Sequence, residues 1–283
     1  MNKEAQINLL IKNALLEDIG DGDHSTLSTI DINEKGKAVL KIKQAGILAG
    51  MEVAEKIFRF MEPEVEFFAQ KKDGERMQFG EQAFEVKARV HTILQCERLV
   101  LNCMQRMSGI ASLTNLYVQK LAGYETKLLD TRKTTPNFRV LEKEAVRIGG
   151  AVNHRFGLYD MIMLKDNHID YCGGIKNAIE KAYAYVQTQK PGLKIEVETR
   201  SLDDVEIVMQ TGKIDRIMLD NFKPELIREA LNIIKGRYET EASGGINYDN
   251  LESYAATGVD YISSGAIIHQ AVSLDLSLKA VTL

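Results

Sequence analysis

The stretch IEVETRSLDDVEIVMQTGKIDRIMLD, residues 195–220, decides the fold. A short run, Ile195 to Val197, ends at the acidic Glu198; a helical pattern follows, and a second run, Ile217 to Leu219, ends at another acid, Asp220. The same unit recurs outward in both directions. Lys127 to Leu129 precedes Asp130, Met161 to Leu164 precedes Lys165, Glu239 to Ala242 precedes Ser243, and Tyr261 to Ser263 precedes Ser264. Glu198, Asp220, Ser243 and Ser264 follow one another at 22, 23 and 21 residues, close to the minimum for a strand, a turn and a crossover helix. The spacing predicts parallel βα units.

Such units with short connections form either an open doubly wound sheet or a closed barrel. An open sheet gathers functional residues at one switch point. Here polar or small residues follow all six runs, which favours an α/β barrel whose strand ends converge on one mouth. Six strands fall short of eight, so the barrel is expected to be incomplete or to have a further segment near Val152 to His154.

Upstream, residues 4 to 18 read as an amphipathic helix with Ile7, Leu10, Ile11, Ala14 and Leu15 on one stripe, ahead of the breaker run Gly20-Asp21-Gly22-Asp23 and a loop. Strand-like segments at 37–43, 65–69 and 84–90, with a helical pattern over 51–61, predict a small α+β domain. A long helix follows from Thr92 to Leu121, with Gly109 expected to break or bend it. The domains expected are 1–110 and 111–283, with room for the C-terminal end of the chain to pack back onto the first.

The composition, 45% hydrophobic and 27% charged over 283 residues, is that of a chain folded throughout. A net charge of −4 argues against a general affinity for nucleic acid, which needs a broad basic surface. Three cysteines without a CxxC pair suit a reducing cytoplasm, with Cys96 and Cys103 as small core residues. The Met-rich face of the long helix, including Met104 and Met107, reads as core. No run of about 18 apolar residues predicts a membrane span.

The positive charge is local. Between Asp130 and His168 lie Arg132, Lys133, Arg139, Arg147, His154, Arg155 and Lys165, several of them beside residues that turn the chain, as in a pocket for a polyanion. Arg offers carboxylates and phosphates a planar bidentate fork and Lys a point charge. Glu198 and Asp220 can hold a hydrated Mg²⁺ or stabilise a developing positive charge. Ser243-Gly244-Gly245 and Ser263-Ser264-Gly265-Ala266 follow the last two strands, where barrels often bind phosphate through backbone N–H groups. His24, His91 and His269 read as structural, and His168 as a residue that orients its loop. A lysine at a strand end, Lys165, also suits a Schiff-base aldolase.

The motifs DTRKTTPNFR, GGAVNHRFGLYDMIMLKDNHI, IEVET, IMLDNF, EASGGIN and ISSGA, with EDIGDGDHST, AGILAG and CERLVLNCMQRMSGIAS upstream, closely resemble those of the quinolinate phosphoribosyltransferases. The resemblance covers nearly the full length. It implies an N-terminal open-faced α/β sandwich, a C-terminal incomplete TIM-like α/β barrel, and the Mg²⁺-dependent conversion of quinolinate and phosphoribosyl pyrophosphate into nicotinate mononucleotide, CO₂ and pyrophosphate. It further implies that Thr131, Arg132, Lys133, His154, Arg155 and Lys165 bind substrate and that Lys133, Glu198 and Asp220 are catalytic. By the same resemblance, Glu198 and Asp220 lie near the ribose and metal, and Ser243, Gly244, Gly245, Ser264, Gly265 and Ala266 form phosphate-binding turns. Arg98, in CERLVLN, matches an arginine that reaches a partner subunit's site, so the resemblance implies a homodimer or a higher oligomer. A related phosphoribosyltransferase-like protein of molybdenum-utilisation operons shares the fold, but the full cationic set favours the quinolinate enzymes. Asn137-Phe138 and Ala151 stand where the family commonly has Gly-Leu and a third Gly.

Overall fold

The computed structural model describes residues 2–281; Met1, Thr282 and Leu283, at the ends of the two expected domain ranges, lie outside the described residues. The chain forms two compact units. One runs to Asn115 and adds Thr134–Gly150 and the residues from Ile267 on; the other comprises Leu116–Lys133 and Ala151–Ala266. The long helix Val90–Lys120 carries the change from the first to the second, and the stretch Thr134–Gly150 returns to the first.

The first unit is built on a four-stranded antiparallel sheet whose order is Leu276–Val281, Lys35–Ile42, Gln82–Arg89, Glu66–Ala69. The C-terminal strand had no clear sequence signal, and it pairs with Lys35–Ile42 along its whole length. Helix Met51–Met61 buries Met51, Val53, Ala54, Ile57 and Phe58, the 3.6-residue spacing of a single apolar face. Phe58, Phe67 and Phe84 form the aromatic centre of this unit, with Phe67 and Phe84 ring centroids 4.6 Å apart. Cys96, Cys103, Met104 and Met107 are fully buried, as their helical spacing predicts, and burial pushes both thiols up to about 12.

Two local expectations change. Gly109 does not break the long helix: 31 residues run through it without interruption. A Cβ there would lie 2.1 Å from the Val272 carbonyl oxygen, so glycine serves a close backbone approach. The expected loop after Gly20–Asp23 becomes the helix His24–Thr29, because the Asp23 carboxylate caps it by accepting the Thr26 N–H.

The second unit is a six-stranded parallel sheet, in the order Lys127–Leu129, Tyr261–Ser263, Glu239–Ser243, Arg216–Asp220, Ile195–Thr199, Ile162–Leu164. The first strand in sequence pairs with the last, which curls the sheet, and Val152 adds a single parallel bridge to Leu129. The extra segment expected near Val152 is therefore one residue of ladder, and the sheet is an incomplete barrel. Outside it run the helices Ile175–Gln189, Leu202–Thr211 and Pro224–Ile234, whose Ile179, Val208 and Ile227 are buried, as are the strand residues Ile195, Val197, Ile217, Leu219 and Ala242.

Alternation along the strands puts the other residues on the inner face. Register then sets Glu196 beside Arg216, Arg216 beside Glu239, and Glu241 beside Met218. Barrel interiors are usually filled by branched aliphatic side chains; this one is lined with charge. No helix among the described residues is long and apolar enough to cross a membrane.

Candidate active site at the barrel mouth

Parallel strands end on one side, so the residues that follow them share a rim. Asp130, after the first barrel strand, is fully buried and ties two rim loops together: Oδ1 accepts the His154 N–H at 2.8 Å and Oδ2 accepts from Asn153 Nδ2 at 2.8 Å. The loops so joined carry Thr131, Arg132 and Lys133 on one side and Arg155 on the other. Thr131 Oγ1 accepts the Lys133 N–H at 3.1 Å, and the Lys133 side chain is exposed. Arg155 is half-buried and donates from Nη1 to the Met161 carbonyl at 3.2 Å. Its burial and the neighbouring Arg132 charge hold its guanidinium below the ordinary arginine value, so like charges have been gathered at some cost.

On the facing strands, Lys165 Nζ donates to Glu198 Oε2 at 3.1 Å; the lysine side chain is 46% exposed and the glutamate 8%. His168 accepts the Lys165 N–H on Nδ1 at 3.0 Å, the loop-orienting role its position suggested. A half-exposed ammonium paired with a carboxylate is the reverse of the desolvated amine that a Schiff-base aldolase needs. Asp220 ends its strand in register with Ser243 and accepts from Asn221 Nδ2 at 2.6 Å.

The two glycine turns differ. A Cβ on Gly244 would lie 2.2 Å from Asn221 Oδ1, so only glycine lets the Ser243 turn nest against the Asp220 turn, where Asn221 N–H donates to the Ser243 carbonyl. Ser264 is buried, its N–H donates to Leu129 O and its hydroxyl to Ile246 O. Both of its donors are committed to the fold.

His154 is also placed differently from the other expected cations. Its ring lies inside the barrel, with Nε2 3.1 Å from Glu196 Oε2 and 3.2 Å from Glu241 Oε2. Arg216 continues the chain of charge, pairing with Glu241 at 3.1 Å and Glu239 at 3.0 Å, and Tyr261 donates to Glu239 at 3.1 Å. Glu196, Arg216 and Glu241 escaped sequence reasoning, although the alternation Glu196-Val197-Glu198 inside a parallel strand was a signal: such strands are normally apolar on both faces. Arg139 and Arg147 belong to the other unit, where Arg139 Nε donates to Thr134 and Arg147 pairs with Glu144.

Residues 110–279 match the C-terminal domain of quinolinate phosphoribosyl transferase and residues 23–108 its N-terminal domain. The chain belongs to the quinolinate phosphoribosyltransferase family. It is 41% identical to the probable nicotinate-nucleotide pyrophosphorylase [carboxylating] of Bacillus subtilis, over 96% of this chain and 93% of that one. The chloroplastic pyrophosphorylase of Arabidopsis thaliana is 40% identical, over 96% and 82% respectively. The crystal structure of NadC from Streptococcus pyogenes superposes with a TM-score of 0.90 at 43% identity, covering 98% of each chain. Within the family the Asn137 departure is absorbed by conformation: Asn137 has φ 61°, a left-handed geometry that glycine adopts freely and asparagine tolerates better than most residues.

Proposed function

We propose that the barrel mouth transfers the phosphoribosyl group of phosphoribosyl pyrophosphate to quinolinate with decarboxylation, giving nicotinate mononucleotide, CO₂ and pyrophosphate for NAD synthesis. The observation that carries this reading is a rim that joins the Arg132 and Arg155 guanidinia to the Lys165–Glu198 pair and Asp220. Both substrates are polyanions. Quinolinate brings two adjacent carboxylates and the other substrate a phosphate and a pyrophosphate, and several cations are needed to hold them together.

In this reading, Arg132, Lys133, Arg155 and Lys165 neutralise substrate charge, with Lys133 the exposed member beside the reacting groups. Departure of pyrophosphate leaves oxocarbenium character at ribose C1, which Glu198 or Asp220 stabilises at close range. The pyridine nitrogen then bonds to C1 and becomes cationic. That cation accepts the electron pair when the bond from C2 to its carboxylate breaks, CO₂ leaves, and C2 takes up a proton. The protein positions, neutralises charge and excludes water, with no covalent intermediate.

The two acids form an oxygen-only donor set, which suits Mg²⁺. Lys165 engages Glu198 Oε2 and Asn221 engages Asp220 Oδ2, so Glu198 Oε1 and Asp220 Oδ1 would hold the ion, directly or through water. When bound, the ion would offset the charge of the departing pyrophosphate. Phosphate would rest on the Gly244–Gly245 and Gly265–Ala266 turns. His154 would act from within the barrel.

We further propose a homodimer in which Arg98 completes the partner's site, and a reducing cytoplasm, in keeping with three free cysteines. The direct test incubates the protein with phosphoribosyl pyrophosphate, Mg²⁺ and either quinolinate or nicotinate. Nicotinate mononucleotide and CO₂ from quinolinate alone is expected; no turnover of quinolinate by folded protein would overturn the reading. Lys133→Ala and Arg155→Ala should each lower kcat/KM by ~1.5 to 3 kcal/mol, roughly ten- to hundredfold, the loss of a charge-assisted contact. Mixing the impaired Arg98→Ala and Lys133→Ala proteins under subunit exchange should raise activity above the sum of the two alone. Absence of rescue despite exchange would count against a shared site.

A further inference from the structure

The charged lining of the barrel needs a physical reason. Glu196 and Glu241 are fully buried, and each buried ion forgoes hydration worth several kcal/mol that an apolar lining would not lose. Salt bridges alone are a weak return, since well-packed apolar residues often replace buried ion pairs without loss of stability. His154 is the group that both carboxylates share, and it is the rim residue immediately before Arg155.

The ring is held from both ends. Nδ1 accepts the Arg155 backbone N–H at 2.6 Å, so it carries no proton, and the proton of a neutral ring must sit on Nε2, between the two carboxylates. Burial opposes charge on the ring, but the Glu196 and Glu241 carboxylates outweigh it and hold His154 above its ordinary value, which favours a proton on Nε2, the nitrogen that faces them. His154, Glu196 and Glu241 could also offer a cation one ligand atom each within 4.8 Å of one another, but the nitrogen facing that space is the protonated one.

We infer that Glu196 and Glu241 are positioning residues for the transfer reaction: through the His154 ring they fix the turn that aims the Arg155 guanidinium at substrate. Arg155 N–H is tied to the ring, the ring to two strands of the barrel, and the His154 N–H to Asp130. The turn thus has three anchors. Arg216 pairs with Glu241 from the other side, at 3.1 Å, and His154, Ser263 and Arg216 together hold that carboxylate below its ordinary value despite burial.

The inference rests on the reading of Arg155 as an anion-binding residue, and a double-mutant cycle separates the two. Arg155→Ala identifies the substrate whose KM that residue governs. Glu241→Leu should raise the same KM about tenfold, as expected when a contact group is misplaced, with kcat changing less, and Glu241→Gln, which keeps an acceptor, should recover most of the loss. In the Arg155→Ala background, Glu241→Leu should add less than about twofold. An equal effect in both backgrounds would overturn the positioning role alone, whereas unchanged KM values in Arg155→Ala would remove the reading beneath it. Nitrogen-15 NMR of the unmodified protein at neutral pH supplies a check that no folding defect can blur. His154 should show a proton on Nε2 and none on Nδ1; a protonated Nδ1 would overturn the inference.

Discussion

The two units solve the same problem, filling an interior, with opposite materials. The first packs Phe58, Phe67 and Phe84 with buried thiols and methionines, so its stability comes from apolar burial and shape. The second puts Glu196, Arg216, Glu241 and His154 inside its sheet and keeps most aliphatic residues for the side facing its helices. An aromatic core loses stability when its volume changes. A charged one loses it when its charges no longer balance, and its response depends on pH.

The largest effects should separate these two behaviours. Phe84→Ala should destabilise the protein by ~3 to 5 kcal/mol, the usual result of opening a cavity at a buried aromatic, and by the same amount at pH 6 and pH 8. Arg216→Ala should cost a similar ~3 to 5 kcal/mol at pH 8, because it leaves buried carboxylates uncompensated, and distinctly less at pH 6, where those carboxylates can take up protons. Urea unfolding of both variants at the two pH values measures the contrast. A pH-independent loss in Arg216→Ala would mean that the barrel interior behaves as ordinary packing.

Glu196→Gln should have a smaller effect and the opposite sign. The folded carboxyl, raised to about 7 from its ordinary 4.5, holds a proton that the unfolded chain has released. Native protein therefore binds more protons than unfolded protein between those values, and the contribution is full below about pH 4.5 and lost as pH rises through 7. Glutamine cannot ionise. The variant should match the parent near pH 5 and exceed it by a few kcal/mol at most near pH 8; parallel stability curves would refute the assignment. The smallest effect belongs to Ser264→Ala, about 1 kcal/mol of stability for one buried hydroxyl bond to Ile246, with little change in kcat/KM because that hydroxyl faces the fold.

Much of this architecture was legible in residue order. The strands ending at Leu129, Leu164 and Ser263 are found where the short runs placed them, and Ile195–Thr199, Arg216–Asp220 and Glu239–Ser243 differ from their runs by one or two residues. The strand Leu276–Val281 was not legible, since its partner Lys35–Ile42 lies more than two hundred residues away and edge pairing leaves little periodic trace. At the rim, Lys165, Glu198 and Asp220 could be named because the backbone at the end of a parallel strand lies near the mouth. The destinations of His154 and Ser264 could not. Both look like mouth residues in order along the chain, and both are turned inward by partners, Glu196, Glu241 and Ile246, that only folding brings near.

The sequence by itself determined the repeating strand–helix unit, the cations and acids available to the mouth, and the family, because backbone periodicity and the order of motifs are properties of neighbours along the chain. Tertiary structure alone decided which of those side chains face the mouth and which face each other. Strand register sets Glu196 beside Arg216, and curling of the sheet brings the ring of His154 between Glu196 and Glu241, so the protonation of this cluster belongs to the barrel and to no segment of it.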